Sequence, residues 1–177
     1  MRCFIALKIP GGMRKKILVI QKLLLESGVF EGKLTSFENI HLTLKFLGEI
    51  DEDAVEKITD GLEKIMWNSF NGEIESGGVF SEDEIRIIWL KLNGADELQK
   101  NIDEALKSFF EIEKRFMSHV TIARVKKVFK KDKLMKLVKD IKLKNMNFKV
   151  NSFYLMESKL TKKGPKYEVI KEFKSDG

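Results

Sequence analysis

The amino-acid sequence predicts an α+β protein: two pseudo-symmetric lobes of mostly antiparallel sheet, with helices outside and a central groove. Three observations predict it. Both histidines lie in a repeated pattern, Ile40-His41-Leu42-Thr43-Leu44 and Ser118-His119-Val120-Thr121-Ile122, whose alternation is that of a half-buried strand. The strand and helix signals around the two copies recur in one order, and Ile5-Ala6-Leu7-Lys8-Ile9 echoes Ile88-Trp89-Leu90-Lys91-Leu92, as a duplicated unit does. No Pro-, Gly- or Ser-rich linker separates the copies, so residues 1–177 read as a single bilobal domain, long enough to bury about 70% of its unfolded surface. Chance is a poor rival. With five threonines in the chain, a Thr two places after both histidines has a probability of about 0.1%.

Taken in order, Arg2 to Ile9 reads as a strand ended by Pro10-Gly11-Gly12. Met13, Ile17, Ile20 and Leu24 fall at helical spacing, and the helix stops near Ser27-Gly28. A short extended segment around Lys33 to Ser36 leads into the first His-Thr strand, residues 40 to 47, which Gly48 ends. Asp51, Glu52 and Asp53 suit the positive end of a second helix, which buries Val55, Ile58, Leu62 and Ile65 and runs to about Trp67. Strands over Asn71 to Phe80 and Ile85 to Leu92 flank the turn Ser81-Glu82-Asp83-Glu84. Leu98, Ile102, Ala105, Leu106 and Phe109 mark a third helix, His119 to Val125 the second His-Thr strand, and Leu134, Leu137, Val138 and Ile141 a fourth helix. Strands over Asn147 to Met156 and Tyr167 to Phe173 complete the chain.

Composition narrows the function. There are 33 basic and 27 acidic residues, a net charge of +6, which leans mildly toward polyanions. Lysines cluster after the second motif, from Lys126 to Lys136, and near the end of the chain at Lys159, Lys162, Lys163 and Lys166; by default such runs are solvated surface. Cys3 is the only cysteine, which excludes an intrachain disulfide and a thiolate metal cluster. No stretch approaches the roughly 20 apolar residues of a membrane span. We therefore expect a cytoplasmic monomer without membrane attachment.

Residues two apart on a strand share a face, so His41 and Thr43 project together, as do His119 and Thr121. Two opposed imidazoles can act as general acid and general base near neutral pH. Two threonine hydroxyls can hold the oxygens of a phosphate between them. That set suits in-line displacement at phosphorus and requires no cofactor; a zinc site would want three or four protein ligands, and there is no third histidine and no HExxH. Strict alternation puts Arg124 on the face opposite His119, so it reaches the phosphate only if the strand bulges or twists. Alternation likewise sends Phe46 to the Leu42 face, toward the core. Trp67 and Trp89 are most simply core, and Tyr167, after the turn signal Gly164-Pro165, could stack on a base or close the groove edge.

Four ordered blocks extend the pattern: Met1-Arg2-Cys3-Phe4-Ile5-Ala6, Asn39-Ile40-His41-Leu42-Thr43-Leu44-Lys45-Phe46-Leu47-Gly48, His119-Val120-Thr121-Ile122-Ala123-Arg124, and Phe153 to Leu160 followed by Gly164-Pro165-Lys166-Tyr167. Together they resemble the two-histidine phosphoesterase superfamily, specifically the RNA 2',3'-cyclic phosphodiesterases also called 2'-5' RNA ligases. One departure is Ser118, where relatives usually carry Pro; it should loosen the start of the strand without removing the chemistry. The resemblance implies hydrolysis of RNA 2',3'-cyclic phosphate ends to 2'-phosphates. It further implies that His41 protonates the departing 3' oxygen, that His119 activates water, and that Thr43 and Thr121 bind the phosphate oxygens. ATP-independent 2'-5' ligation, a cyclic mononucleotide or NAD-derived cyclic phosphate as substrate, and a binding module without turnover remain the other readings.

Overall fold

The computed structural model describes residues 1–177. The chain runs β1 (Arg2–Lys8), α1 (Gly11–Glu26), β2 (Phe30–Leu34), a 3-10 turn (Phe37–Asn39), β3 (His41–Glu49), α2 (Glu52–Glu63), β4 (Phe70–Val79), β5 (Ile87–Asn93), α3 (Asp96–Leu106), β6 (His119–Val128), α4 (Lys131–Lys139), β7 (Asn147–Val150), β8 (Ser152–Thr161) and β9 (Gly164–Lys174). Local chemistry sets several boundaries. Asp51 caps α2 by accepting from the Ala54 N–H at 2.8 Å, with Glu52 and Asp53 in the first turn, where carboxylates offset the helix dipole. Gly28, at φ +66°, lets the chain reverse after α1 in a conformation that costs a residue with Cβ.

Every strand pairing is antiparallel, in the order β7-β4-β5-β6-β3-β1-β8-β9, and β2 pairs with the later part of β6. The sheet divides into two groups, β9-β8-β1-β3 and β7-β4-β5-β6-β2, which meet at a single residue pair, Leu42 and Val120. One cluster of 36 buried residues runs under both groups and takes in side chains from all four helices, among them Ile17, Ile58, Ile102 and Val138. Helices thus cover one face of the sheet. The opposite face is the groove.

The lobes are not consecutive halves of the chain. β8 and β9, from the end of the sequence, extend the lobe of β1 and β3, while β2, from its beginning, completes the lobe of β6. The predicted strand over 147–156 is two strands: β7 pairs with β4 and β8 with β1, and Asn151 lies between them. β8 and β9 also run to Thr161 and from Gly164, longer than their apolar patterns, because cross-strand pairing persists where one side is solvated. α2 ends at Glu63, so Trp67 is buried from the following segment rather than from the helix, and Phe109 and Ile141 lie just past α3 and α4. Ser118 is buried, and its carbonyl accepts from the Leu92 N–H at 3.1 Å, a main-chain contact at the start of β6 that proline would also make.

Candidate active site

The Leu42–Val120 pair organises the site. Both side chains are fully buried in the core, so their neighbours His41, Thr43, His119 and Thr121 emerge on the groove face. In antiparallel register His41 lies across from Thr121 and Thr43 across from His119. The two imidazoles are then diagonal neighbours, about 7–8 Å apart in such a pair, a gap of the size a phosphate fills.

The two rings are held by the same device. The His41 Nδ1–H donates to the carbonyl of Asn39 at 2.6 Å, and the His119 Nδ1–H donates to the carbonyl of Met117 at 2.7 Å. A carbonyl only accepts, so this contact assigns the proton to Nδ1 and leaves Nε2 of each ring to exchange protons in the groove. His41 Nε2 is 2.9 Å from Thr43 Oγ1; when the ring is neutral, the hydroxyl donates. Burial pushes the His41 imidazole below its ordinary value, the Asn39 carbonyl opposes this, and charge on His119 adds to the lowering.

Aromatic rings wall both sides. Phe4 and Tyr167 stand 5.2 and 5.1 Å from the His41 ring and 4.9 Å from each other. Burial pushes the Tyr167 phenol up, while the positive charges of Arg124 and Arg2 act the other way. On the far side Phe80 meets His119 edge-on at 5.0 Å and packs near Trp89 at 5.8 Å. Trp89 pairs in register with Thr121, is half-buried on the groove face, and lies over Gly78, where a Cβ would come within 2.3 Å of the indole. It is therefore not the core residue that its strand pattern suggests.

A second correction has a clear cause. In β3 the partner register passes from Lys45 to Thr43, leaving Leu44 as an extra residue, and in β6 it passes from Ala123 to Thr121, leaving Ile122 extra. Both are bulges three residues after the histidine, and each reverses the alternation beyond it. Phe46 consequently leaves the core and is 73% exposed on the groove side, near Phe4. Arg124, the equivalent position in the second copy, comes round to the face of His119. The bulge in β6 is stabilised from α1: Gln21, itself buried, donates to the Ile122 carbonyl at 2.7 Å, which also accepts from the Thr35 N–H at 3.0 Å, and to Thr35 O at 2.9 Å, so side chain and backbone together satisfy the buried carbonyls there. In β3 the bulge turns Lys45 inward, where Nζ donates to Asp103 at 2.5 Å and to the Glu111 carbonyl at 2.7 Å.

All six residues singled out from sequence, His41, Thr43, His119, Thr121, Arg124 and Tyr167, thus face one groove. The residues that sequence reasoning passed over are Asn39 and Met117, which act through backbone carbonyls, the aromatics Phe4 and Phe80, and the buried Lys45. Equal spacing gave a usable signal for the first two, each being two places before a histidine. Nowhere do three His, Cys, Asp or Glu side chains gather as a metal ion would require, and no helix is long and apolar enough to cross a membrane.

Comparison with known proteins places this geometry. The family model described as LigT like Phosphoesterase matches residues 7–89 and 92–167. The chain belongs to the LigT-like phosphoesterases. Among curated members, it is 34% identical over 184 residues to the RNA 2',3'-cyclic phosphodiesterase of Thermotoga maritima, covering 100% of this chain and 97% of the relative. The protein of the same name from Methanocaldococcus jannaschii is also 34% identical, over 98% of this chain and 100% of its own. The crystal structure of a Thermus thermophilus protein superposes with a TM-score of 0.81 at 22% identity, covering 100% and 99% of the two chains. That of apo LigT from E. coli gives 0.78 at 20% identity, over 98% of this chain and 96% of that one. This LigT-like phosphoesterase shares with both the mixed α+β architecture of four helices on a curled antiparallel sheet.

Proposed function

We propose that this phosphoesterase hydrolyses RNA 2',3'-cyclic phosphate ends to 2'-phosphate ends by a His41/His119 acid–base relay that uses no metal, with residues 1–177 forming one phosphodiesterase domain. The observation that carries the reading is the duplicated ring geometry. Each imidazole is locked through Nδ1, which leaves both Nε2 atoms free of backbone partners, that of His41 beside the Thr43 hydroxyl. The names of the curated relatives at 34% identity supply the substrate class.

In this scheme the cyclic phosphate sits between the two histidines. Thr43 and Thr121 donate to its non-bridging oxygens, and Arg124, brought round by the bulge, offsets their charge. His119 Nε2 removes a proton from water, and the water oxygen attacks phosphorus as the bond to the 3' oxygen breaks. His41 Nε2–H gives its proton to that oxygen. The 2'-phosphate remains, and a proton moves back from His119 to His41 through solvent to reset the pair. The acid and base roles follow the family resemblance. Burial lowers the free His41 imidazole below its ordinary value; an arriving phosphate anion acts the other way and favours the charged form that the acid role needs. Both halves of the site come from one chain, which suits a monomer.

The test is hydrolysis of a short RNA ending in a 2',3'-cyclic phosphate, in EDTA, by the natural protein and by His41→Ala and His119→Ala. A 2'-phosphate product is expected, with each variant slower by about 10²–10⁴-fold. RNA bound without turnover by the natural protein refutes the reading. Activity lost only on adding EDTA refutes the metal-free scheme.

A further inference from the structure

Resting on that reading, we infer that Lys33 forms a second anion subsite beside Arg124, which takes the phosphodiester on the 5' side of the terminal nucleoside and makes an RNA strand, rather than a cyclic mononucleotide, the preferred substrate. The placement comes from register. Leu34 pairs with Ala123, which is fully buried, so the preceding pair, Lys33 with Arg124, points to the groove face. Strands at this spacing bring the two cations within about 5 Å at the backbone. The strip they form begins on the strand that carries His119 and leads outward, away from the histidines.

Two like charges directly across an antiparallel pair are destabilising. Some cations on the sheet are neutralised: Lys126 pairs with Glu31, Lys91 with Glu75, and Lys159 and Lys166 share Glu168. Lys33 and Arg124 have no carboxylate within ion-pair distance. The Lys33 ammonium is also positioned. It reaches across to the tip of the β8–β9 hairpin, 3.4 Å from the Lys163 carbonyl, and lies against Gly164, where a Cβ would stand 3.2 Å from it. The hairpin tip is also held by the Asn39 amide, which donates to the Pro165 carbonyl at 2.8 Å. A cation fixed between β2 and that tip, one strand outside Arg124, stands where the phosphate next to a bound RNA end has to pass.

The experiment compares kcat/KM for a short oligoribonucleotide ending in a 2',3'-cyclic phosphate with that for a nucleoside 2',3'-cyclic phosphate, between about 50 and 200 mM salt. The natural protein should prefer the oligonucleotide. Lys33→Gln should lose about tenfold on it, the size of one charge-assisted contact, and less than twofold on the mononucleotide. Its log-log salt slope should fall by about 0.7, one single-strand phosphate contact; Lys33→Arg should keep both. Equal loss on both substrates, or no loss on either, overturns the subsite. Inactivity of the natural protein on both substrates refutes the hydrolase reading instead; equilibrium binding of the same oligonucleotide then decides the subsite, which stands only if Lys33→Gln weakens it about tenfold.

Discussion

Replacing Asp103 by Ala tests the internal support of the site. The Lys45 and Asp103 side chains are 6% and 4% exposed, and the carboxylate also accepts from Gln99 Nε2 at 2.8 Å and from the Glu113 N–H at 3.0 Å. Asp103→Ala strands the ammonium in the core with only the Glu111 carbonyl. Removing one partner of such a buried pair costs about 3–5 kcal/mol, against a total stability of about 5–15 kcal/mol for a domain. At about 2–4 °C per kcal/mol for a chain of this length, the midpoint should fall by about 6–20 °C. Urea unfolding reads the free energy directly. Lys45→Met combined with Asp103→Leu removes both charges and should recover part of the loss, giving a coupling of at least about 2 kcal/mol in a double-mutant cycle. If Asp103→Ala costs less than about 1 kcal/mol, or the double variant is additive, the pair is not holding β3 to α3 and the argument from its burial fails. The consequence for the site is indirect. The same carboxylate anchors the segment after α3 that ends at Met117, whose carbonyl orients His119.

Two further outcomes follow from the walls of the groove. Burial lowers the folded-state value of His41 below its ordinary 6.5, so as pH falls through 6.5 the unfolded chain takes up the proton first and stability declines until the folded ring also titrates; His41→Gln should flatten that part of the stability profile, and an unchanged profile would mean the ring is not desolvated. Phe80, 56% exposed beside His119, is free to stack on a base, so Phe80→Ala should raise KM about 5- to 150-fold at the 1–3 kcal/mol of one base stack, with stability within about 0.5 kcal/mol of the natural protein by thermal unfolding.

Periodicity made the strands and helices legible because burial on one face writes a pattern into the sequence. It failed where backbone geometry breaks the period. Phe46 reads as core in any unbroken strand, since nothing in Leu44-Lys45-Phe46 marks a bulge; only the opposing register shows that Leu44 is unpaired. Arg124 was ambiguous for the same reason. Phe80 was hidden because an aromatic at the end of a strand carries no periodic context. Asn39 and Met117 act through carbonyls, which are identical in every residue, so only their position relative to a histidine could betray them. The partition of the lobes was equally invisible. Whether β8 joins β1 or β5 is a question of long-range pairing, and composition along the chain does not encode it.

The two copies agree in backbone and differ in side chains, and the division follows the chemistry proposed. Displacement at phosphorus needs a proton taken on one side and given on the other, so the features repeated are those that aim an imidazole: the His-x-Thr spacing, the carbonyl two residues before each ring, and the bulge three residues after it. An RNA end is not symmetric. It offers flat bases and a chain of negative charge, and the fifth residue after each histidine, which the bulge turns into the groove in both copies, is Phe46 in one and Arg124 in the other. The same divergence runs beneath the sheet, where the fourth residue is Lys45 in one copy and Ala123 in the other, so that one bulge is braced by a buried ion pair and the other by Gln21 reaching backbone carbonyls. Exchanging Phe46 and Arg124 should therefore leave the bulges and rings in place while mismatching the groove to its substrate, a loss in kcat/KM without a comparable loss in the unfolding midpoint.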